Sequence, residues 1–181
     1  MPGDQGAGRG LLVTDQSREP GEVLHHGAPS LVVGIEQFAV AGHPQFEVNR
    51  MELTRAGRSF TVDTLREIHA QDPSRELFFL IGADSLAELP SWRDPAGIVE
   101  LATIVAVNRG DRPLPDLDAL RRTLGNAVAD RIRIVTMPGI DLSSTDIRRR
   151  VREGRSIRFM TPRPCEVYIH EHGLYTGRVR E

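Results

Sequence analysis

The run Ser143-Ser144-Thr145, followed at 148 by an arginine, is the arrangement in this sequence best suited to hold an anion. A serine at a helix start caps a first-turn N–H with its hydroxyl oxygen, and the other first-turn amides point outward at the positive end of the helix dipole. A phosphate fits there. Thr145 adds a hydroxyl, and Arg148 adds a planar, two-pronged donor one turn later. Asp146 stands three residues after Ser143, the position of a capping-box partner. The same residues also suit an ordinary capped helix with a solvated Arg148-Arg149-Arg150 face.

Three further features have chemical potential. Gly82-Ala83-Asp84 ends an apolar run. Gly82 permits close approach of a ligand to the backbone, and Asp84 can accept hydrogen bonds from ribose hydroxyls or serve as a plain helix cap. Trp92, the sole tryptophan, lies in the polar stretch Leu89-Pro90-Ser91-Trp92-Arg93. Its indole can stack on a planar heterocycle or cover a core edge. Arg109 follows a second apolar run, where an arginine faces either a site or solvent. Histidines add little: His25, His26, His43, His69, His170 and His172 form no recognisable catalytic or metal-ligand spacing. No Gly-x-Ser-x-Gly nucleophile and no Walker loop occurs, so no catalytic residue and no protein metal site is assigned.

The elements that must carry these residues follow from periodicity. Leu31, Ile35, Phe38 and Ala39 share a helical face up to Gly42-His43-Pro44. Phe46, Val48 and Met51 to Leu53 suggest an irregular strand. Thr61 opens a helix to about Ala70 with Val62, Leu65, Ile68 and His69 on one side, ended by Asp72-Pro73. Leu77 to Ile81 and Thr103 to Val107 are continuous apolar runs, the mark of parallel strands covered on both faces. Pro95 to Leu101 and Leu117 to Val128 read as helices, and Ile132 to Val135 as a strand. Ser143 to Glu153 and Pro164 to His172 read as helices closed by Gly154 and Gly173. Strand and helix alternate, which predicts an α/β, doubly wound, Rossmann-like sheet. In such sheets ligands bind beyond the carboxyl ends of the strands, where Gly82, Asp84, Arg109 and the loop before Ser143 all fall.

Composition narrows the partners. A net charge of −2 lacks the cationic excess that nucleic acid or an anionic membrane surface demands, so the expected partner is a small molecule. One cysteine, Cys165, rules out an internal disulfide and agrees with the cytoplasm. No apolar run approaches the roughly 20 residues that span a bilayer, and the first thirty residues contain no apolar leader core.

In order along the chain, Phe46-Glu47-Val48, Ser59-Phe60-Thr61-Val62-Asp63-Thr64-Leu65, Gly82-Ala83-Asp84-Ser85-Leu86, Leu89-Pro90-Ser91-Trp92, Asn108-Arg109 and Leu142-Ser143-Ser144-Thr145-Asp146-Ile147-Arg148 resemble the bacterial nicotinate-nucleotide adenylyltransferase family of the nucleotidyltransferase superfamily. The resemblance covers roughly residues 39 to 175. It implies transfer of AMP from ATP to nicotinate mononucleotide, giving deamido-NAD and pyrophosphate, with Mg²⁺ on the phosphates. It further implies ATP contacts from Gly82, Asp84, Arg109, Ser143, Ser144, Thr145 and Arg148, and nicotinate contacts from Thr61 and Trp92, the latter by stacking.

One family element has no match. The strand followed by Gly-Gly-[Thr/Ser]-Phe-[Asp/Asn]-Pro-x-His-x-Gly-His, which grips ATP phosphates, is not in this sequence, and His25-His26-Gly27 has the wrong spacing. The sheet is therefore expected to lack its first strand. Residues 1–38 are expected to be an aperiodic segment arising from a shifted frame, a wrong start or a truncation, and residues 39–181 the α/β domain. Two other functions remain open: an inactive nucleotide-binding remnant, or a related nucleotidyltransferase using nicotinamide mononucleotide or phosphopantetheine. The sequence leaves oligomeric state open.

Overall fold

The computed structural model describes the backbone of residues 13–14 and then residues 35–110, 113–114 and 116–177. His25, His26 and most of the N-terminal segment lie outside the described residues, as does the beginning of the helix expected from Leu31; residues 35–39 are helical. Two compact units divide the chain, one containing residues 13–14 and 51–139, the other residues 35–50 and 140–177.

The first unit is built on a parallel sheet of β1 (Val13–Thr14), β2 (Leu77–Gly82), β3 (Ala102–Arg109) and β4 (Ile132–Met137), in that spatial order. Three strands of six to eight residues form its body; β1 adds two residues at the β2 edge, with Val13 opposite Phe79 and Thr14 opposite Leu80. The remaining registers place Gly82 beside Val107 and Arg109 beside Met137.

Around the sheet run α1 (Met51–Thr54), α2 (Thr61–Gln71), a 3₁₀ helix at Ala83–Ser91, α3 (Pro95–Leu101), α4 (Leu117–Leu124) and α5 (Asn126–Ala129). α2 buries Val62, Leu65 and Ile68 against Phe79, Ile81, Leu86, Leu89, Ile98 and Ile104, the centre of the unit's core. Each such side chain contributes about 1.5–3 kcal/mol when fully buried. The burial of β2 alternates: Leu77, Phe79 and Ile81 are buried, whereas Phe78 and Leu80 are half-buried. On that second face Arg133 lays its guanidinium 5.9 Å from the Phe78 ring centroid, so an arginine covers part of what a fully apolar run suggested would be core.

Two expectations are corrected. No strand forms from Phe46 to Leu53; Met51–Thr54 is helical. A strand needs a neighbour for its N–H and C=O groups, and here polar side chains tie the segment to α2 instead. The Thr64 hydroxyl donates to Glu52 Oε1 at 2.5 Å and accepts from the Arg55 guanidinium at 3.0 Å, while Arg55 pairs with Glu67 at 2.6 Å. The helix expected across Leu117 to Val128 breaks into α4 and α5 at Gly125, whose φ of 88° no helix accommodates.

The second unit contains α6 (Ser144–Arg152) and α7 (Arg163–Glu171). Val151, Ile157 and Ile169 form its core with Ile35, Ile147, Leu174 and Tyr175 packed against them. Gly154 (φ 68°) and Gly173 (φ 59°) close the two helices in left-handed conformation, as their positions predicted.

Candidate active site

In the first unit the carboxyl ends of β2 and β3 lie side by side and open into a cleft of about 300 Å³, lined by Ala83, Asp84 and Ala87 from the 3₁₀ helix and by Val107, Asn108, Arg109 and Pro113 from β3 and its exit. β2 stops here because Gly82 leads directly into the 3₁₀ helix, with no side-chain cap at its start. A Cβ on Gly82 would collide with Asp84 Oδ1, so the bare glycine makes room for the carboxylate. That carboxylate is exposed and accepts the Ser85 N–H at 3.1 Å through Oδ1. Arg109 is exposed at the end of β3.

Asn108, which the sequence offers only as part of the Asn108-Arg109 run and with no role of its own, lines the cleft and is only 4% exposed. The available signal was a polar side chain on the inward alternation of β3, two residues after buried Ala106.

Thr61 and Trp92 occupy the helical side of the same unit. Thr61 is the first residue of α2, whose N-cap, Phe60, makes no side-chain capping bond. Trp92 is half-buried, its ring edge-on to Phe79 at 6.0 Å between centroids, so it does cover a core edge. Ionic contacts join the segments that carry these two residues: Arg66 to Asp94 at 2.5 Å, Arg93 to Asp63 at 3.8 Å, and the Arg93 guanidinium 4.5 Å over the Phe60 ring.

In the second unit Ser143 caps α6, its Oγ accepting the Asp146 N–H at 3.1 Å. Ser143, Ser144 and Thr145 are exposed, and Arg148 is half-buried with a guanidinium N–H 3.5 Å from Thr145 Oγ1. The reciprocal half of the capping box is absent. The Asp146 carboxylate turns to Arg149 and, at 2.8 Å, to Arg150, and these two guanidinium groups pull its pKa from 3.8 down to about 2. Two arginines one turn away outcompete a single backbone N–H for a carboxylate.

The structure thus sets Asp84 and Arg109 on the wall of one cleft, with Gly82 at the adjoining end of β2, places Thr61 and Trp92 on ionically joined segments of the same unit, and sets Ser143, Ser144, Thr145 and Arg148 together at the start of α6. Among the described residues no three His, Cys, Asp or Glu side chains converge to hold a metal, and no helix is long and apolar enough to cross a membrane.

A cytidylyltransferase-like family model matches residues 33–150. A protein of Thermus thermophilus named "Probable nicotinate-nucleotide adenylyltransferase" is 44% identical over 138 residues, 76% of this chain and 68% of that one. A protein of the same name from Roseiflexus sp. is 39% identical over 166 residues, covering 91% of this chain and 82% of its own length. Among solved structures, the Plasmodium falciparum nicotinic acid mononucleotide adenylyltransferase complexed with NaAD superposes with a TM-score of 0.63 over 95% of this chain and 85% of the other, at 14% identity, a likeness of fold.

Proposed function

This chain belongs to the nicotinate-nucleotide adenylyltransferase family, within the cytidylyltransferase-like group, and we propose that it transfers AMP from ATP to nicotinate mononucleotide in the cytoplasm, yielding deamido-NAD and pyrophosphate. The observation that supports this reading is the cleft at the paired ends of β2 and β3, lined by Asp84 and Arg109 with Gly82 at the adjoining end of β2, together with relatives of that name spanning most of the chain.

The mononucleotide phosphate attacks the α-phosphorus of ATP, one P–O bond forming as the bond to pyrophosphate breaks. The protein's contribution is to align the two phosphates and stabilise their charge. Gly82 lets the nucleotide approach the backbone, Asp84 accepts from ribose hydroxyls, and Arg109 donates into the cleft. Ser143 spends an oxygen lone pair on the Asp146 N–H and keeps its O–H to donate to a phosphate. Ser144 and Thr145 supply first-turn amides and hydroxyls, and Arg148 a guanidinium. Thr61 and Trp92 hold the nicotinate. Among the described residues no three His, Cys, Asp or Glu side chains form a cage for Mg²⁺; the ion would be bound chiefly by the triphosphate and water, as Mg²⁺ commonly is in phosphoryl transfer, and would neutralise phosphate charge.

A second reading, nucleotide binding without turnover, is favoured by the absence of a His-x-Gly-His segment from the sequence. The full chain incubated with ATP, Mg²⁺ and nicotinate mononucleotide separates the two. Pyrophosphate release that requires the mononucleotide is the expected result, with slower release on nicotinamide mononucleotide or phosphopantetheine. Binding of ATP and mononucleotide with no release of pyrophosphate would overturn the catalytic reading in favour of the second.

A further inference from the structure

Gly110 and Gly139 meet backbone to backbone where β3 and β4 leave the sheet. Arg109, the last residue of β3, lies opposite Met137, the last of β4, and the Gly110 N–H donates to the Met137 carbonyl at 2.9 Å. Beyond that bond the two segments stay in contact. A Cβ on Gly139 would stand 3.3 Å from Gly110 Cα, and a Cβ on Gly110 would stand 3.2 Å from Gly139 Cα. Both are closer than the roughly 3.5–4.0 Å at which carbon atoms rest against each other. Gly110 is glycine for its own conformation, since its φ of 60° is left-handed. Gly139 has no such need: its φ lies outside the left-handed region and the residue is exposed. What a side chain at 139 would disturb is Gly110. That residue follows Arg109 directly and stands between Arg109 and Pro113, both on the wall of the cleft.

We propose that Gly139 is a positioning residue for the cleft: by lacking a Cβ it lets the β4 exit lie flush against Gly110, and so fixes the direction in which Arg109 leaves the end of β3. The assignment rests on the reading of this cleft as the ATP site. The coupling is direct, because a Cβ at 139 meets backbone and no side-chain rotation relieves the contact. The β3 exit itself has to shift. Arg109 is attached one residue before the shifted atoms, and the N–H donors of a guanidinium weaken as distance and angle depart from ideal. A displaced exit is therefore felt as weaker anion binding while the sheet, whose ladder ends at Gly110, persists.

The test is calorimetric titration of the full chain with ATP and Mg²⁺, no mononucleotide being present, so that Kd and the fraction of binding-competent molecules are read together. Gly139→Ala is expected to raise the Kd about three- to tenfold, the scale of a weakened charge-assisted hydrogen bond, with the competent fraction unchanged. Gly125→Ala is the control for stability alone. Gly125 lies between α4 and α5 with φ of 88°, and a Cβ there meets nothing within 4 Å. Alanine at 125 is strained, so the thermal midpoint should fall while the Kd stays within about twofold. In an Arg109→Ala background, Gly139→Ala should change the Kd by less than about twofold, because the group it acts through is gone. Full additivity of the two substitutions would overturn the assignment. So would an unchanged Kd in Gly139→Ala, a loss of competent molecules at unchanged Kd, or failure of that variant to fold, each of which marks a purely structural contact. Failure of the unsubstituted chain to bind ATP would overturn the functional reading itself.

Discussion

Asp94 caps α3 through the Gly97 N–H at 3.0 Å with one carboxylate oxygen and receives Arg66 at 2.5 Å with the other. One side chain thus starts a helix and ties the segment after Trp92 to α2. Its backbone is left-handed, with φ of 52°, and a Cβ on Gly97 would stand 2.8 Å from its Cγ. Gly97→Ala should push the carboxylate off the cap and cost about 1–3 kcal/mol, the range of an overpacked contact. Asp94→Ala should cost about 1–2 kcal/mol through the lost cap, with Asp94→Asn milder because asparagine both caps and tolerates the left-handed region. Urea unfolding midpoints at constant m-value measure all three.

Gly82→Ala separates binding from stability. The backbone at Gly82 is extended, with φ of −65°, so alanine brings no conformational strain. Its methyl meets the flexible end of Asp84, which can swing aside. Unfolding should shift by less than about 1 kcal/mol, as for a surface change, while ATP affinity falls severalfold because Asp84 leaves its place in the cleft. A substitution that lowers stability sharply and spares ATP binding would contradict this.

Thr64 is 3% exposed and joins Glu52 to Arg55 through one hydroxyl. Thr64→Val preserves shape and removes both bonds, leaving the Glu52 carboxylate and the Arg55 guanidinium each short of a partner. A loss of about 1–3 kcal/mol is expected, with α1 released before the sheet. Hydrogen exchange at Met51–Thr54 should rise ahead of exchange at β2 and β3.

Acid titration should reveal Asp146. Its folded pKa of about 2 lies below the ordinary 3.8 because Arg149 and Arg150 bond the ionised form. A lowered carboxylate pKa gives stability that is fully present above the unfolded value and is lost as pH falls through the folded one. Denaturation midpoints should therefore fall between about pH 4 and pH 2, and Asp146→Asn should flatten that limb. An Asp146→Asn profile that overlays the original through this window would exclude the role.

Local chemistry made much of this protein legible in one dimension. The Leu77 to Ile81 and Thr103 to Val107 runs predicted β2 and β3, the spacing of Val62, Leu65 and Ile68 predicted the buried face of α2, and Ser143 with Gly154 marked both ends of α6. These signals are local because periodicity, capping and left-handed glycines depend on a few neighbouring residues. The family was legible for the same reason: its markers are short runs that each fit within one turn or one strand end.

What tertiary structure decided concerns partners far apart in the chain. Phe46 to Leu53 has strand-like residues, yet Glu52 and Arg55 find Thr64 and Glu67 on α2, and Met51–Thr54 becomes helical. Asp146 sits at the capping-box spacing, yet Arg149 and Arg150 claim its carboxylate. Asn108 enters the cleft wall only because β2 and β3 pair with Gly82 beside Val107. The stacking of Arg93 on Phe60, 33 positions earlier, has no local signature at all. Period and propensity determine which elements form; which charge meets which is settled by distances that exist once the chain has closed on itself.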